Sequence, residues 1–234
     1  MAEIDIRWLG RVEFAAALAV QEEIVRSHAG TGDVVLLLEH EPVYTTGRGG
    51  REEHLPGANG RARAPDVPLF RIGRGGDATY HGPGQLVGYA LVDLRARGGD
   101  VHRFLRRLED GVIGILAAYG IAGQRLAGRT GVWVSARTTH PTDVRSGSRK
   151  IASIGIGVRR GVSMHGFALN VSVDLGAFAS IVPCGIADAE MTSMEAEGLA
   201  PVPAIAEVAS VAARILPLAI DGDESERAVS GAPR

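Results

Sequence analysis

The 234-residue chain reads as a single α/β domain, a mixed β-sheet backed by helices. Two observations carry that reading. Apolar residues recur at three- and four-residue steps in three separated segments, which is the signature of amphipathic helices. Between these segments lie short runs rich in β-branched and apolar residues, so strands and helices are interspersed rather than sorted into tandem modules. A chain of this length buries a substantial core in one domain. Residues 1–220 are taken as that domain. Residues 221–234, acidic and rich in small side chains, are expected to form a disordered tail.

The elements follow in order. Residues 12–28 predict a helix whose inner face carries Phe14, Leu18, Gln21 and Val25, apolar except for the glutamine. Residues 34–38 are continuously apolar, as in a strand covered on both faces. A strand over 86–94 precedes the clearest helix, 101–119, with Leu105, Leu108, Val112, Leu116 and Tyr119 on one stripe and Asp100 as its N-cap. Strands are expected over 131–134, 151–158 and 162–171. The last helix, 204–216, runs through Ile205, Val208, Ala212 and Ile215 and is expected to stop at Pro217. Residues 47–68 and 135–149 read as loops. Gly-Arg-Gly-Gly occurs at 47–50 and again at 73–76, but the flanks differ and the repetition reads as a coincidence of composition.

Composition excludes several classes. With 45% hydrophobic and 22% charged residues the chain is globular, and a formal charge of −2 supplies no global attraction to nucleic acid or anionic lipid. One cysteine cannot form an internal disulfide. The start, Met1-Ala2-Glu3-Ile4-Asp5, is acidic where a secretory signal is basic, and no apolar run reaches the ~18–20 residues of a membrane span. A cytoplasmic protein is expected.

Of the 25 lysines and arginines, only Lys150 is a lysine, and Cys184 is the only cysteine. Lys150 sits where the polar loop gives way to an apolar strand. It is either a solvated strand-end lysine or a group kept because arginine cannot give up its proton. Cys184 lies between Pro183 and Gly185. It is either a small buried hydrophobe or a turn thiol placed to act as a nucleophile. The densest segment is Arg74-Gly75-Gly76-Asp77-Ala78-Thr79-Tyr80-His81-Gly82-Pro83-Gly84-Gln85. On spacing alone it is either a tight hairpin with a satisfied histidine or a loop that brings bare backbone to a ligand. It lacks the Gly-Lys-Ser/Thr ending of a phosphate loop. The seven histidines form no H-E-x-x-H pattern, and a metal site from His40, His81 and His165 has little support.

Five collinear motifs carry a family resemblance. They are Pro42-Val43-Tyr44-Thr45-Thr46-Gly47-Arg48, the segment from Arg74 to Gln85, Lys150-Ile151-Ala152-Ser153-Ile154-Gly155, His165-Gly166-Phe167-Ala168-Leu169-Asn170 and Pro183-Cys184-Gly185-Ile186. In this order, across about residues 34–195, they resemble the octanoyltransferases of lipoate biosynthesis, the lipoate–protein ligase B family. The resemblance implies a fold like the catalytic domain of biotin and lipoate protein ligases. It implies transfer of an octanoyl chain from octanoyl-acyl carrier protein to a lysine ε-amino group on lipoyl domains, those of 2-oxoacid dehydrogenase complexes and the glycine cleavage H protein. It also implies Cys184 as the acyl-thioester nucleophile and Lys150 as its partner. Arg74, Gly75, Gly76, Asp77, Ala78, Thr79, Tyr80, His81, Ser153, Ile154, Gly155, Gly166, Phe167 and Ala168 then line the acyl site. No cofactor and no metal are implied, and a monomer is expected. The loop over 135–149 is longer than the family pattern leads one to expect.

The chemistry is consistent with this. Exchange between thioesters is nearly balanced and thioester to amide is downhill. Only a thiolate attacks, and an ammonium beside it favours the anion; a two-unit fall in thiol pKa is worth about 2.7 kcal/mol. Backbone N–H groups in turns at Gly75-Gly76 or residues 153–155 are expected to hold the oxyanion, with Phe167, Ile154 and Tyr80 lining the chain's channel. Two rival readings remain: an ATP-dependent ligase of the same fold, and a catalytically silent binder of lipoyl domains or carrier protein. Basic loop residues such as Arg61 and Arg63 suit docking to an acidic carrier.

Overall fold

The computed structural model describes residues 3–61, 64, 66–135, 147–185 and 190–222, apart from the side chains of residues 29–31 and of Cys184. Its centre is an eight-stranded mixed sheet. β1 (Asp5–Val12) lies parallel to β2 (Val34–His40). Antiparallel neighbours follow: β6 (Gln85–Leu91), β10 (Val162–Asn170), β9 (Arg149–Arg159), β8 (Arg129–Val134) and β7 (Gly123–Leu126). β11 (Glu190–Met191) pairs in parallel with the first two residues of β9, one of which is Lys150. A smaller sheet places β3 (Val43–Thr46) between β4 (Leu69–Arg71), parallel to it, and β5 (Thr79–His81), antiparallel.

The main sheet is covered on both faces, which accounts for the unbroken apolar run in β2. Val35 and Leu37 face the core built with α2 (Val101–Ala118) and α3 (Ile205–Asp221), whereas Val34, Leu36 and Leu38 face α1 (Phe14–Thr31). Alternation by two sends successive side chains to opposite faces, and here both are dry. The expected Asp100 cap is formed: its Oδ1 accepts the His102 and Arg103 amides at 2.8 and 3.0 Å. Gln21, the polar member of the α1 stripe, is fully buried because its Oε1 accepts the His165 amide at 2.9 Å.

Two expectations are corrected. The last helix does not stop at Pro217 but runs to Asp221, with Pro217 inside it. The ring removes one ladder bond. Burial of Leu216 and Ile220 beyond the expected end, and the Gly222 amide on the Leu218 and Ala219 carbonyls, hold the final turn. The folded domain therefore extends through Asp221, which accepts from Arg97 at 2.9 Å while Arg97 also pairs with Asp33. The rest of the expected tail, 223–234, and positions 136–146 of the long loop lie outside the described residues, as do Arg63 and Ile186.

The second correction concerns the two Gly-Arg-Gly-Gly stretches. They lie against each other. β3 and β4 are parallel, and each runs directly into one copy. The Arg48 amide donates to the Arg74 carbonyl at 2.9 Å and the Gly49 amide to the Gly76 carbonyl at 3.1 Å. A β-carbon on Gly47 would stand 2.4 Å from the Gly76 oxygen, so this close backbone contact requires glycine.

Candidate active site

A cavity of about 520 Å³ is lined by residues of both sheets. β5 contributes Thr79 and His81, the 72–77 loop Ile72, Arg74, Gly76 and Asp77. β9 supplies Lys150, Ser153, Ile154 and Gly155; β10 supplies His165, Gly166, Phe167 and Ala168. The segment 153–155, expected as a turn, is mid-strand in β9 and registers against 166–168 of β10. The cavity therefore gathers most of the residues that the sequence motifs single out.

Three of them stay outside it. Tyr80 and Ala78 belong to a separate core with Tyr44 and Phe178, the Tyr80 ring centroid 5.3 Å from that of Tyr44. In an extended strand neighbours point to opposite faces, so Thr79 and His81 reach the cavity and Tyr80 cannot. Tyr80 thus does not line an acyl channel. Gly75 is also off the lining. Its amide already donates to the Ile156 carbonyl at 2.8 Å, which removes it as an oxyanion donor. That bond draws the loop onto β9, where a β-carbon on Gly155 would come within 2.9 Å of the Gly75 oxygen.

Lys150 is the second residue of β9 and only 2% exposed. Its ammonium nitrogen lies 5.3 Å from the ring centroid of Trp133, its register partner on β8, where a ring face partly compensates a buried cation. The side chain crosses Gly131 at a register shift of β8. A fully buried carboxylate, Glu109 of α2, fixes that crossing. It accepts the Gly131 amide at 3.0 Å and is charge-balanced by Arg125 at 2.9 Å and Arg106 at 2.6 Å.

Cys184 lies in a 3-10 turn, Pro183–Gly185, beside the cavity; Gly185 lines the same space as Lys150, and the thiol itself is outside the described atoms. The turn is tied back by the Val182 amide on the His54 carbonyl at 3.0 Å.

His81 resolves both sequence readings, since it is satisfied and also faces the cavity. Its Nδ1–H donates to Gln85 Oε1 at 2.8 Å and its Nε2 lies 3.3 Å from Thr45 Oγ1. Gln85 donates to Asn170 at 2.9 Å, and Asn170 to the Thr192 carbonyl at 2.8 Å, a relay joining three motifs across the sheets. The segment is not a hairpin, because β5 and β6 belong to different sheets. Burial, with His40 next and Gln85 opposing, pushes His81 down to about 3. Burial takes His40 to about 4 against the Val12 carbonyl, and His165 to about 4 with Arg74 adding to the effect. All three are neutral near pH 7. His40 and His81 engage both ring nitrogens, and among the described residues no cluster of three His, Cys, Asp or Glu is arranged to hold a metal.

Sequence reasoning missed Phe14, Tyr89 and the β7–β8 lip, Gly128, Arg129 and Thr130, all of which line the cavity. Only tertiary packing brings them there. His165 was inside a motif and carried a signal, a polar residue within an apolar strand. Its backbone φ of +63° and an Nδ1 without a partner among the described residues mark it further.

A strand-borne buried lysine and a glycine-rich loop facing one small-ligand cavity mark the binding site of a mixed α/β domain. The chain belongs to the lipoyl protein ligase A/B catalytic domain family, whose model matches residues 13–216. It is 50% identical over 200 residues to an octanoyltransferase of Geobacter metallireducens, covering 85% of each chain. It is 44% identical over 220 residues to one of Mycolicibacterium gilvum, covering 94% of this chain and 86% of that one. The protein is an acyltransferase. Its fold is that of lipoate-protein ligase A solved with ATP, at a TM-score of 0.67 and 21% identity over 98% and 93% of the chains. Biotin protein ligase from Aquifex aeolicus is more distant, at a TM-score of 0.51 and 12% identity over 92% and 70%. No helix among the described residues is long and apolar enough to cross a membrane.

Proposed function

We propose that this acyltransferase moves an octanoyl group from octanoyl-acyl carrier protein to the lysine ε-amino group of lipoyl domains, through a thioester on Cys184. The observation that carries this reading is the buried Lys150 in the wall of a cavity whose lip is Gly185, the neighbour of the chain's one cysteine. A desolvated ammonium beside a thiol favours the thiolate, and only the thiolate attacks. Lys150 as the neutral amine takes the thiol proton and becomes that ammonium. The thiolate adds to the donor's carbonyl carbon, the carbonyl re-forms as the C–S bond to the carrier breaks, and the carrier's sulfur takes the proton back from Lys150. The octanoyl chain lies along Ile154, Phe167 and Ala168, with Arg74, Gly76, Asp77, Thr79 and His81 across from them. Thr79 Oγ1 and His165 Nδ1, buried without a described partner, supply polar contacts at the chain's carbonyl end. A cavity of about 520 Å³ lies within the ordinary range for small-ligand sites, roughly 300–1,000 Å³. The domain acts as a monomer without nucleotide or metal.

Intact-mass spectrometry tests this. With octanoyl-acyl carrier protein and no ATP, the protein gains one octanoyl group, and the Cys184→Ser variant gains none. Absence of the adduct on the unaltered protein would falsify the assignment, and an adduct that required ATP would favour a ligase.

A further inference from the structure

Beside the Cys184 turn stands a histidine–carboxylate pair whose histidine neither the motifs nor the proposed thioester chemistry uses. His54 Nδ1–H donates to Asp77 Oδ2 at 2.5 Å. The other Asp77 oxygen accepts the Ala78 amide at 2.7 Å, so the carboxylate is held on both oxygens and points one way. The pair abuts Gly185: a β-carbon there would stand 2.8 Å from Asp77 Oδ2 and 3.5 Å from His54 Cε1. The His54 carbonyl also accepts the Val182 amide, so histidine and cysteine turn move as one piece. Asp77 and Gly185 both line the cavity.

With Nδ1 committed as a donor, Nε2 is the acceptor nitrogen. It faces outward, its nearest charged neighbour being the Glu53 carboxylate at 4.0 Å, which is 57% exposed and itself paired with Arg51. Arg61 donates to the Glu53 and Ala58 carbonyls. Among the described residues the carboxylates that pair with the ring are Asp77 on the inner side and Glu53 on the outer. Lys150 sits differently, in the cavity wall and only 2% exposed.

We propose that His54, oriented by Asp77, is the catalytic base for the incoming acceptor amine. The inference rests on the thioester reading above and divides the proton work, with Lys150 serving the sulfur and His54 the nitrogen. The neutral amine adds to the thioester carbonyl carbon, forming the C–N bond and pushing the π electrons onto oxygen. The cationic nitrogen gives its proton to His54 Nε2. The carbonyl re-forms, the C–S bond breaks, and sulfur leaves as a thiolate beside Lys150, which is neutral since giving its proton to the carrier. His54 then releases its proton to water through its outward edge. Thioester and amine have become amide, thiolate and a solvated proton.

The two half-reactions separate this from a structural role. The His54→Asn variant keeps a donor at the Nδ1 position for Asp77 but has no Nε2. Acylation by octanoyl-acyl carrier protein, followed by mass, is expected at the normal rate, which also shows that the variant is folded. Transfer from the pre-formed acyl-enzyme to a lipoyl domain is expected to slow by about 10²-fold. Asp77→Asn is expected to slow the second step with a smaller effect. Unchanged transfer in His54→Asn overturns the proposal, and so does an equal slowing of both halves, which would make His54 a support for the turn. If the unaltered protein forms no adduct at all, the thioester reading fails and this proposal with it.

Discussion

The Lys150 side chain lies directly over the backbone of Gly131: a β-carbon on that glycine would be 2.8 Å from Lys150 Cε and 3.4 Å from its Nζ. The glycine has φ +113°, a conformation that side chains rarely adopt, and Glu109 holds its amide from the helix beneath. The buried ammonium is thus seated by an absent side chain. Gly131→Ala is expected to push Lys150 aside and also to press on the Ala152 carbonyl, 2.5 Å from the new carbon. Acyl transfer should fall by at least about 10²-fold, of the size typical for a displaced acid–base group. Unfolding free energy, read by urea titration, should drop by about 1–3 kcal/mol. Full activity in this variant would show that the seat does not matter.

Lys150→Arg separates charge from proton transfer. Arginine keeps a cation over Trp133 but cannot release its proton and presents a broader head. Adduct formation on Cys184 is expected to fall by about 10³-fold while carrier-protein binding is retained. A rate within a few-fold of normal would mean that a fixed positive charge is sufficient.

Much of this was legible before the fold was known, and the gaps have physical causes. Long periodic segments announced themselves, as in α2 with its Asp100 cap and β2 with its two dry faces. Short strands did not: β3 and β5 have four and three residues, too few for a period to emerge, and their burial comes from partners far away in sequence. Pro217 misled because a local breaker was overruled by the burial of Ile220. In the site, residue identity pointed to Lys150, His81 and the glycine-rich loop, whereas facing did not follow from motif membership. Tyr80 sits between two lining residues and points away from the cavity. Phe14 and Arg129 reach it from elements with no motif.

Three neutral histidines make stability depend on acid. His40 and His165 are held down to about 4 and His81 to about 3, chiefly by burial, against about 6.5 in the unfolded chain. Between those values the unfolded chain binds protons that the native state refuses, so stability is fully present above about pH 6.5 and declines as pH falls toward 4. Near pH 5 the three act together with a slope of up to about 4 kcal/mol per pH unit, an upper bound set by three protons. Urea midpoints measured from pH 7.5 to 5 should fall steadily. A flat profile would mean that the histidines take up protons in the native state as readily as in the unfolded chain.

Chain-length preference should respond to one methyl group placed behind the cavity wall. Phe167 and Gly88 are register partners on β10 and β6, and the Phe167 ring occupies the space a Gly88 side chain would fill; a β-carbon there would be 2.2 Å from Phe167 Cε1 and 2.4 Å from Cζ. The ring also lines the cavity proposed for the acyl chain. In Gly88→Ala the ring has to move, because the β6 backbone is held in register by neighbours on both sides, β2 and β10. Movement toward the open side takes volume from the cavity. Each methylene excluded from an apolar site is worth about 0.8 kcal/mol, so losing room for two carbons lowers the preference for octanoyl over hexanoyl by about 10-fold. Competition between the two acyl-carrier donors, read as adduct mass, measures that ratio directly. Because both chains meet the same destabilised wall, a general loss of folding lowers both adducts alike and leaves the ratio unchanged. A fall in the ratio with the hexanoyl adduct preserved locates the end of the acyl chain at Phe167. An unchanged ratio in a folded variant places that end elsewhere in the cavity.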